Sequence, residues 1–495
     1  MPQFNAGLAQ IAPMLIVIVA GCLAMLLSVA RPKEDETPLH GNSFLVVSLI
    51  SVLTAFGVLW SQGPSAGAWG NLLAFDNFSV VAQALILLAT AVSICIGAAY
   101  LEEHKIVRGE YYALTLFCAA GMMLMVAATE LLTFFIGLET MSLAIYVLVG
   151  FRRADRWSQE AALKYFISGS FASAFFLFGA ALLFGVSGST DYVAIAALLH
   201  NGVAISPMFL AGAVLCLVGF TFKIAAVPFH MWAPDAYLGA PTTITGFMAV
   251  TVKTAAFAAL IRFGIMAMGN GTTGMVPVLV KILEVLAILT MTVGNLLAIL
   301  QRQIKRVLAY SSIAHAGYLL VGVIGALERG EAGIRGVLFY LFVYSLTTLG
   351  AFGVVVALEH FGGRHDDQQV QRYNGVGYAH PALGLAFIIF MFALAGIPPT
   401  AGFQGKVLLF TPALDSGHIA LVVIAVLNSV ASVYYYLRLV VYMWMKPSPS
   451  SPNALAQRPM VQSPWLSGAI ALTSILLVLV GTMPDAWMQP LAHLL

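Results

Sequence analysis

Charged residues make up only 9% of this sequence, against roughly a quarter in a soluble domain. That scarcity, beside 60% hydrophobic residues, excludes an ordinary soluble enzyme and points to a polytopic membrane protein. Cysteine is scarce as well: the four are Cys22, Cys95, Cys118 and Cys216, all in apolar stretches and none in CxxC spacing. They read as small buried hydrophobes rather than ligands, so no zinc or iron–sulfur site is expected and no metal is assigned. Nucleotide-binding glycine fingerprints, a Walker loop, a thiol nucleophile and haem-ligand patterns are all missing. The chain thus encodes neither an electron carrier nor a fuel-binding site, and uphill transport would draw its energy from elsewhere. A net charge of +2, with no basic cluster among aromatics, argues against nucleic acid. The opening MPQFNAGLAQ has no basic segment and no cleavage signal, so the first apolar stretch reads as a span rather than a signal peptide.

What is abundant is apolar sequence of helical length, at 9–30, 43–60, 76–99, 112–128, 131–151, 161–187, 205–227, 240–265, 276–299, 307–327, 333–358, 382–410, 416–443 and 465–484. A bilayer crossing needs roughly 20 apolar residues, which predicts an all-α fold of about fourteen transmembrane helices. Basic residues orient them. One side carries Arg31, Lys33, Lys105, Arg108, Arg152, Arg153, Arg156, Arg302, Lys305, Arg306, Arg364, Arg372, Lys446 and Arg458; the other carries only Arg262, Arg329 and Arg335. By the positive-inside rule both termini face away from the cytoplasm. The proline load of 446–464 rules out a helix and predicts an extended cytoplasmic connector.

Two stretches are interrupted. The seventh runs through FTFKIAAVPFHMWAPD, and LAGIPPTAGFQGK breaks the twelfth at Pro398 and Pro399. Proline inside a helix removes a donor and clashes with the preceding turn, and such breaks survive only within a bundle or along a wet cavity. The seventh and twelfth stretches are five apart, and a repeat of five spans must be inverted. This predicts two inverted five-helix repeats with discontinuous helices 7 and 12, at 112–265 and 276–445. A three-helix segment, 1–111, precedes them. The connector 446–464 and a last helix with its tail, 465–495, follow.

The few charges at membrane depth are the candidate site residues, because such charges mark an ion path, a helix-locking ion pair or a substrate counter-charge. Glu139 lies well inside the fifth helix, where a carboxylate must be paired or take up a proton. Lys223 stands before the break at Pro228, Lys253 has mostly apolar sequence on either side, and Lys406 follows Pro399. Each reads as a proton-carrying lysine, against a snorkelling or ion-paired one. His315, in LAYSSIAHAGYLLVG, reads as a relay imidazole beside Ser311, Ser312 and Tyr318. Lys164 and His230 mark a cytoplasmic uptake path, with Lys164 equally readable as an interfacial anchor. Asp235 and Lys305 would shape its mouth or be solvated loop charges. Lys281 and Glu284 read as an i,i+3 pair satisfying one another.

The stretches ELLTFFIGLETMSLAIYVLVGF, EAALKYFISGSFASAFFLFGAALLFGVSGST, FKIAAVPFHMWAPDAYLGAPTTITGFMAVTVKTAAF, GNLLAILQRQIKRVLAYSSIAHAGYLLVG and GIPPTAGFQGKVLLF closely resemble the subunit N family of respiratory NADH–quinone oxidoreductase, complex I. The broken-helix motifs are shared with other antiporter-like subunits and with multisubunit sodium/proton antiporters. The resemblance covers nearly the whole chain and implies a proton-translocating membrane-arm subunit of a bacterial inner membrane enzyme. It implies Glu139 paired with Lys223, Lys253 on a central hydrophilic axis, and His315 linking to Lys406. It also implies that FMN, iron–sulfur clusters and quinone sit in partner subunits. Neighbours would be another antiporter-like subunit on one side, small membrane subunits on the other, and lipids. The competing readings are a cation/proton antiporter subunit and an inert membrane scaffold.

Overall fold

The computed structural model describes residues 2–29, 38–65, 72–200, 206–269, 275–359, 369–447 and 460–483. Among them there is no strand, only isolated bridges between loops. The helices are α1 (Pro2–Val29), α2 (Pro38–Gln62), α3 (Asn77–Glu103), α4 (Gly109–Ala127), α5 (Leu131–Val149) and α6 (Arg156–Ser187). Then come α7 (Tyr192–His200), α8 (Pro207–Lys223), α9 (Trp232–Gly239), α10 (Thr242–Ala267), α11 (Val276–Leu300) and α12 (Ile304–Arg329). The last are α13 (Glu331–Ala357), α14 (Pro381–Ala395), α15 (Ala401–Asp415), α16 (Ile419–Trp444) and α17 (Pro464–Thr482). Among the described residues, 12 helices are long and apolar enough to cross a membrane, and α8 and α14 are shorter apolar helices.

Local chemistry sets many of the ends. Asp155 accepts from Trp157 N at the start of α6, and Gly188 closes it at φ 68; Ser206 caps α8 ahead of Pro207. The bundle is layered by burial. The apolar core of α10 is wholly enclosed, and α12 and α13 are nearly so, while α1, α2, α6, α11 and α16 leave apolar faces exposed. Residues that are apolar all round suit the enclosed helices, and one-sided burial suits those that meet lipid or a partner. Arg262 and Asp76 are joined across α10 and the start of α3 by two hydrogen bonds of 2.9 and 2.7 Å. Arg262 is nearly fully buried, so this bidentate pair fixes the two helices to one another.

Both expected breaks are present, and they share a local design. After α8, Ala225 takes φ 57 and the Ala226 amide reaches back to Thr221 O at 2.9 Å. After α14, Gly396 takes φ 77 and the Ile397 amide reaches back to Phe392 O at 3.1 Å. Each is a left-handed helix terminus closed by a six-to-one hydrogen bond, and each stands three residues before a proline in a cis peptide bond, Pro228 and Pro399. Ala225 has φ in the region that penalises a Cβ by about 1 kcal/mol. Ala225→Gly is therefore expected to raise the unfolding midpoint of the detergent-solubilised protein slightly. A lowered midpoint would contradict the left-handed turn.

The boundaries shift in places. A short helix, α7, occupies what reads in sequence as an outer loop around 189–204; its nine residues carry too few turns to stand out as a span. The stretch 382–410 is two helices, and the thirteenth apolar stretch becomes helical only at Ile419, leaving Ser416 to His418 outside it. Cys118 and Cys216 are buried as expected, but Cys22 is exposed and Cys95 half-buried, because α1 turns that face outward. Most of the connector 446–464, the tail after 483, and Arg31, Lys33, Arg364 and Arg458 lie outside the described residues.

Candidate functional site: a buried lysine–hydroxyl–imidazole row

Lys223, Lys253 and Lys406 are each at most 5% exposed. An ammonium taken out of water needs replacement partners, and each lysine finds them among neutral groups. Lys223 Nζ donates to Ser142 Oγ at 2.8 Å and Tyr146 OH at 3.2 Å, and it lies over the rings of Tyr146, Tyr165 and Phe222. Lys253 Nζ donates to the carbonyl and the hydroxyl of Ser312. Lys406 Nζ donates to Leu394 O, Ala395 O and Ser429 Oγ at 3.2, 2.8 and 2.7 Å, with the Tyr318 ring 5.3 Å away. The two carbonyls are the C-terminal end of α14. The helix break thus turns the negative pole of a helix dipole toward a buried cation.

Among the described residues no carboxylate lies within 4.0 Å of any of these three lysines. That removes the static, helix-locking ion pair as their explanation. The pairing of Glu139 with Lys223 expected from the resemblance is likewise not formed. Glu139 is half-buried and accepts a hydrogen bond from Ser173 of α6 instead. Glu139, Ser142 and Tyr146 share one face of α5 by their i, i+3, i+7 spacing. The carboxylate therefore sits one turn from the group that holds Lys223 without touching it.

Between the lysines lies a row of hydroxyls and one imidazole. Tyr344 OH donates to Ser312 Oγ at 2.9 Å, and Tyr237 OH lies 3.4 Å from the same oxygen. Ser311 Oγ meets Tyr436 OH. His315, 3% exposed, is bracketed by Tyr436 OH at 2.9 Å on Nε2 and Tyr340 OH at 2.6 Å on Nδ1. Hydroxyls both donate and accept, and a neutral imidazole does so through its two nitrogens, so each member can receive a proton on one side and release one on the other. Tyr318, edge-on to His315 with ring centroids 5.5 Å apart, leads on to Lys406. Sequence reading singled out Ser311, Ser312 and Tyr318. It missed Ser142, Tyr146, Tyr237, Tyr340, Tyr344, Ser429 and Tyr436, since tyrosine and serine in apolar helices look like packing residues until the helices are assembled.

The row has a gap. No hydrogen bond joins Lys223 to Lys253 among the described residues; the rings of Tyr165 and Trp232, stacked 4.2 Å apart, stand beside Lys223, and Tyr237 meets Trp232 edge-on. Lys164 is on the exposed rim, held at 2.8 Å by both Glu160 and Asp235, and Asp235 also binds Arg306. His230 sits half-buried at the first break, with Nδ1 buried and unbonded. Among the described residues no cluster of His, Cys, Asp or Glu suits a metal ion.

The expected Lys281–Glu284 pair is replaced by another. Glu284 of α11 and Glu328 of α12 clasp His418, just before α16, at 2.6 Å on Nδ1 and 2.7 Å on Nε2. Burial pulls the imidazolium down, but hydrogen bonds to Glu328 and Glu284 outweigh it and hold His418 above its usual range. Stability from a raised histidine pKa is fully present below the unfolded value and is lost as pH rises through the folded one. His418→Gln should therefore lower the unfolding midpoint at pH 6, by an amount corresponding to roughly 1 kcal/mol, and have little effect at pH 9. Equal destabilisation at both values would show that the clasp does not depend on charge.

A paired-break helical bundle with buried lysines and a histidine row defines an antiporter-like membrane subunit. The family model described as "NADH:quinone oxidoreductase/Mrp antiporter, TM" matches residues 128–432. The chain is 44% identical to NADH-quinone oxidoreductase subunit N of Trichlorobacter lovleyi over 89% of this chain and 88% of that one. It is 39% identical to the subunit N of Myxococcus xanthus, over 98% of both. A chain of Thermus thermophilus respiratory complex I superposes with TM-score 0.78 at 32% identity, covering 96% of this chain and 98% of that one. A chain of the Mrp complex from a Dietzia species has the same fold, with TM-score 0.80 at 22% identity over 98% and 96%. The chain belongs to the NADH-quinone oxidoreductase subunit N family.

Proposed function

We propose that this chain is a proton-translocating membrane-arm subunit of NADH–quinone oxidoreductase, carrying protons from cytoplasm to periplasm across a bacterial inner membrane. The observation that carries this reading is three buried lysines without carboxylate partners among the described residues, bonded to hydroxyls and carbonyls, with the hydroxyl-bracketed His315 in the same bundle. Groups that neither lock helices nor fill a metal site, and that each hold or pass a proton, suit a relay. The chain itself performs no redox step. FMN, iron–sulfur clusters and quinone belong to partner subunits, and quinone reduction there is the driving force of the translocase.

In this reading the two breaks mark inverted five-helix repeats, and α8 with α9, and α14 with α15, complete a fourteen-span array with both termini periplasmic. Their matching left-handed termini support that repeat. Protons enter near Lys164 and His230, reach Lys223 and Lys253, cross by His315 and water, and leave by way of Lys406. A swing of Glu139 from Ser173 toward Lys223 changes that lysine's hold on its proton. A neighbouring antiporter-like subunit passes the change along the arm. Moving one charge against 100 mV costs about 2.3 kcal/mol, equivalent to under two pKa units at roughly 1.4 kcal/mol each. A charge approaching or leaving a buried amine supplies shifts of that size.

An affinity-tagged chain taken from bacterial membranes should bring with it flavin, iron–sulfur absorbance and NADH:quinone reductase activity. Recovery in a flavin-free assembly that exchanges cations for protons would instead establish the antiporter reading, which the shared fold keeps as the second candidate.

A further inference from the structure

The chain holds a second buried charge cluster that the relay does not use. Glu359 lies two residues beyond the end of α13, 9% exposed, and Lys305 in the first turn of α12 is fully buried. One Glu359 oxygen accepts from Thr242 Oγ1 at 3.2 Å, while Oε2 is buried with no hydrogen-bond partner. Lys305 Nζ donates to Leu238 O at 3.0 Å and Ala240 O at 2.7 Å. It is thereby anchored to the turn that presents Thr242. No ion pair within 4.0 Å ties the lysine to Glu359, so the carboxylate is steadied by a nearby cation but keeps one oxygen open. A protonated carboxyl uses such an oxygen for its hydroxyl.

Two stretches of chain lead from this cluster toward Lys253, without a continuous hydrogen-bonded line among the described residues. The turn that Lys305 grips continues directly into Tyr237, whose hydroxyl lies beside Ser312 and so beside Lys253. A second line follows α13. Thr348 lies within α13, eleven residues before Glu359; its hydroxyl oxygen is buried, and Tyr344 is one turn further back on the same face, bonded to Ser312. The stretch between Glu359 and Thr348 is packed by side chains. Phe352 closes it against Gly246 of α10, where a Cβ would stand 3.0 Å from that of Phe352. Lys164 is exposed and tied to two carboxylates on the rim, whereas Glu359 is buried and keeps an unpartnered oxygen; neither has a continuous hydrogen-bonded line to Lys253 among the described residues.

Resting on the proton-relay reading, we propose that Glu359 is the cytoplasmic proton-loading group of this chain, positioned by Lys305 and delivering to Lys253. The step is a proton transfer alone. The carboxylate takes a proton from the cytoplasmic side at Oε2, and the Glu359 O–H then breaks as an N–H forms on neutral Lys253, by way of water and the Tyr344, Tyr237 and Ser312 hydroxyls. The charged and titratable groups facing the carboxylate are Lys305, Tyr100 and Tyr373, with the Arg152–Asp155 pair next to them.

The test uses membranes bearing the assembled oxidoreductase. Proton acids and bases contribute about 10²–10⁴-fold to a transfer, so Glu359→Gln should silence this unit. Protons moved per NADH oxidised should fall, Glu359→Asp should restore most of the loss, and the infrared difference spectrum should lose a protonated-carboxyl band in Glu359→Gln. Full pumping in Glu359→Gln beside impaired pumping in Lys253→Gln overturns the loading site and leaves the relay standing. Full pumping in both overturns the relay reading as well. Where Glu359→Gln does not assemble, Glu359→Asp decides: its carboxyl band should shift in frequency, and an unshifted band overturns the assignment.

Discussion

Lys253→Met is expected to abolish translocation through this subunit while leaving the bundle as stable as before, or more so. Methionine matches the length of the lysine stem and fills the same space. The loss of its donor leaves the Ser312 carbonyl and hydroxyl short of one partner, a cost of about 1–3 kcal/mol. Against that stands release from burying an ammonium, which costs several kcal/mol where no anion neutralises it, as here. Replacing buried charge by apolar groups of similar volume is accordingly often neutral or stabilising. A scaffold role predicts the opposite pattern, with lost stability and unchanged pumping. NADH-driven proton uptake in vesicles, set beside the unfolding midpoint of the purified complex, separates the two. Unimpaired pumping in a fully assembled Lys253→Met complex would sink the relay.

Gly396→Ala is expected to strike Lys406 rather than the fold. Two terms are involved. The left-handed backbone disfavours a Cβ by about 1 kcal/mol, which Ala225 shows is tolerable, since alanine already occupies φ 57 at the equivalent place in the first break. The new methyl would also lie 2.8 Å from Lys406 Nζ and 2.9 Å from its Cδ. That is too close, and the flexible side chain must give way. The ammonium is then pulled from Leu394 O and Ala395 O, the helix end that holds it. Proton pumping should fall while assembly survives. In a Lys406→Met background the same glycine change should add almost no further loss of pumping and only the backbone cost to stability, because neighbours that act as one unit are not additive. An additive second loss would mean that Gly396 acts on something other than Lys406.

Helix-length apolar runs, the two proline interruptions and the cost of charge at depth are local properties. For that reason the membrane class, both helix breaks and the burial of Lys223, Lys253, His315 and Lys406 are readable in the linear chain. Partner choice is not. Glu139 met Ser173 instead of Lys223, Glu284 met His418 instead of Lys281, and Arg262 met Asp76, because each partner comes from another helix and a difference of one turn decides which side chains touch. The same holds for Tyr340 and Tyr436. Nothing in an apolar helix distinguishes a tyrosine that packs from one whose hydroxyl brackets an imidazole, until helices from distant parts of the chain are set side by side. The sequence by itself thus determined where buried charge had to be accommodated. Only the tertiary structure decided that Lys223, Lys253 and Lys406 are accommodated by hydroxyls and carbonyls while Arg262 takes a carboxylate, since hydrogen-bond partners across a bundle are set by crossing geometry and helix register, which spacing along one chain does not contain.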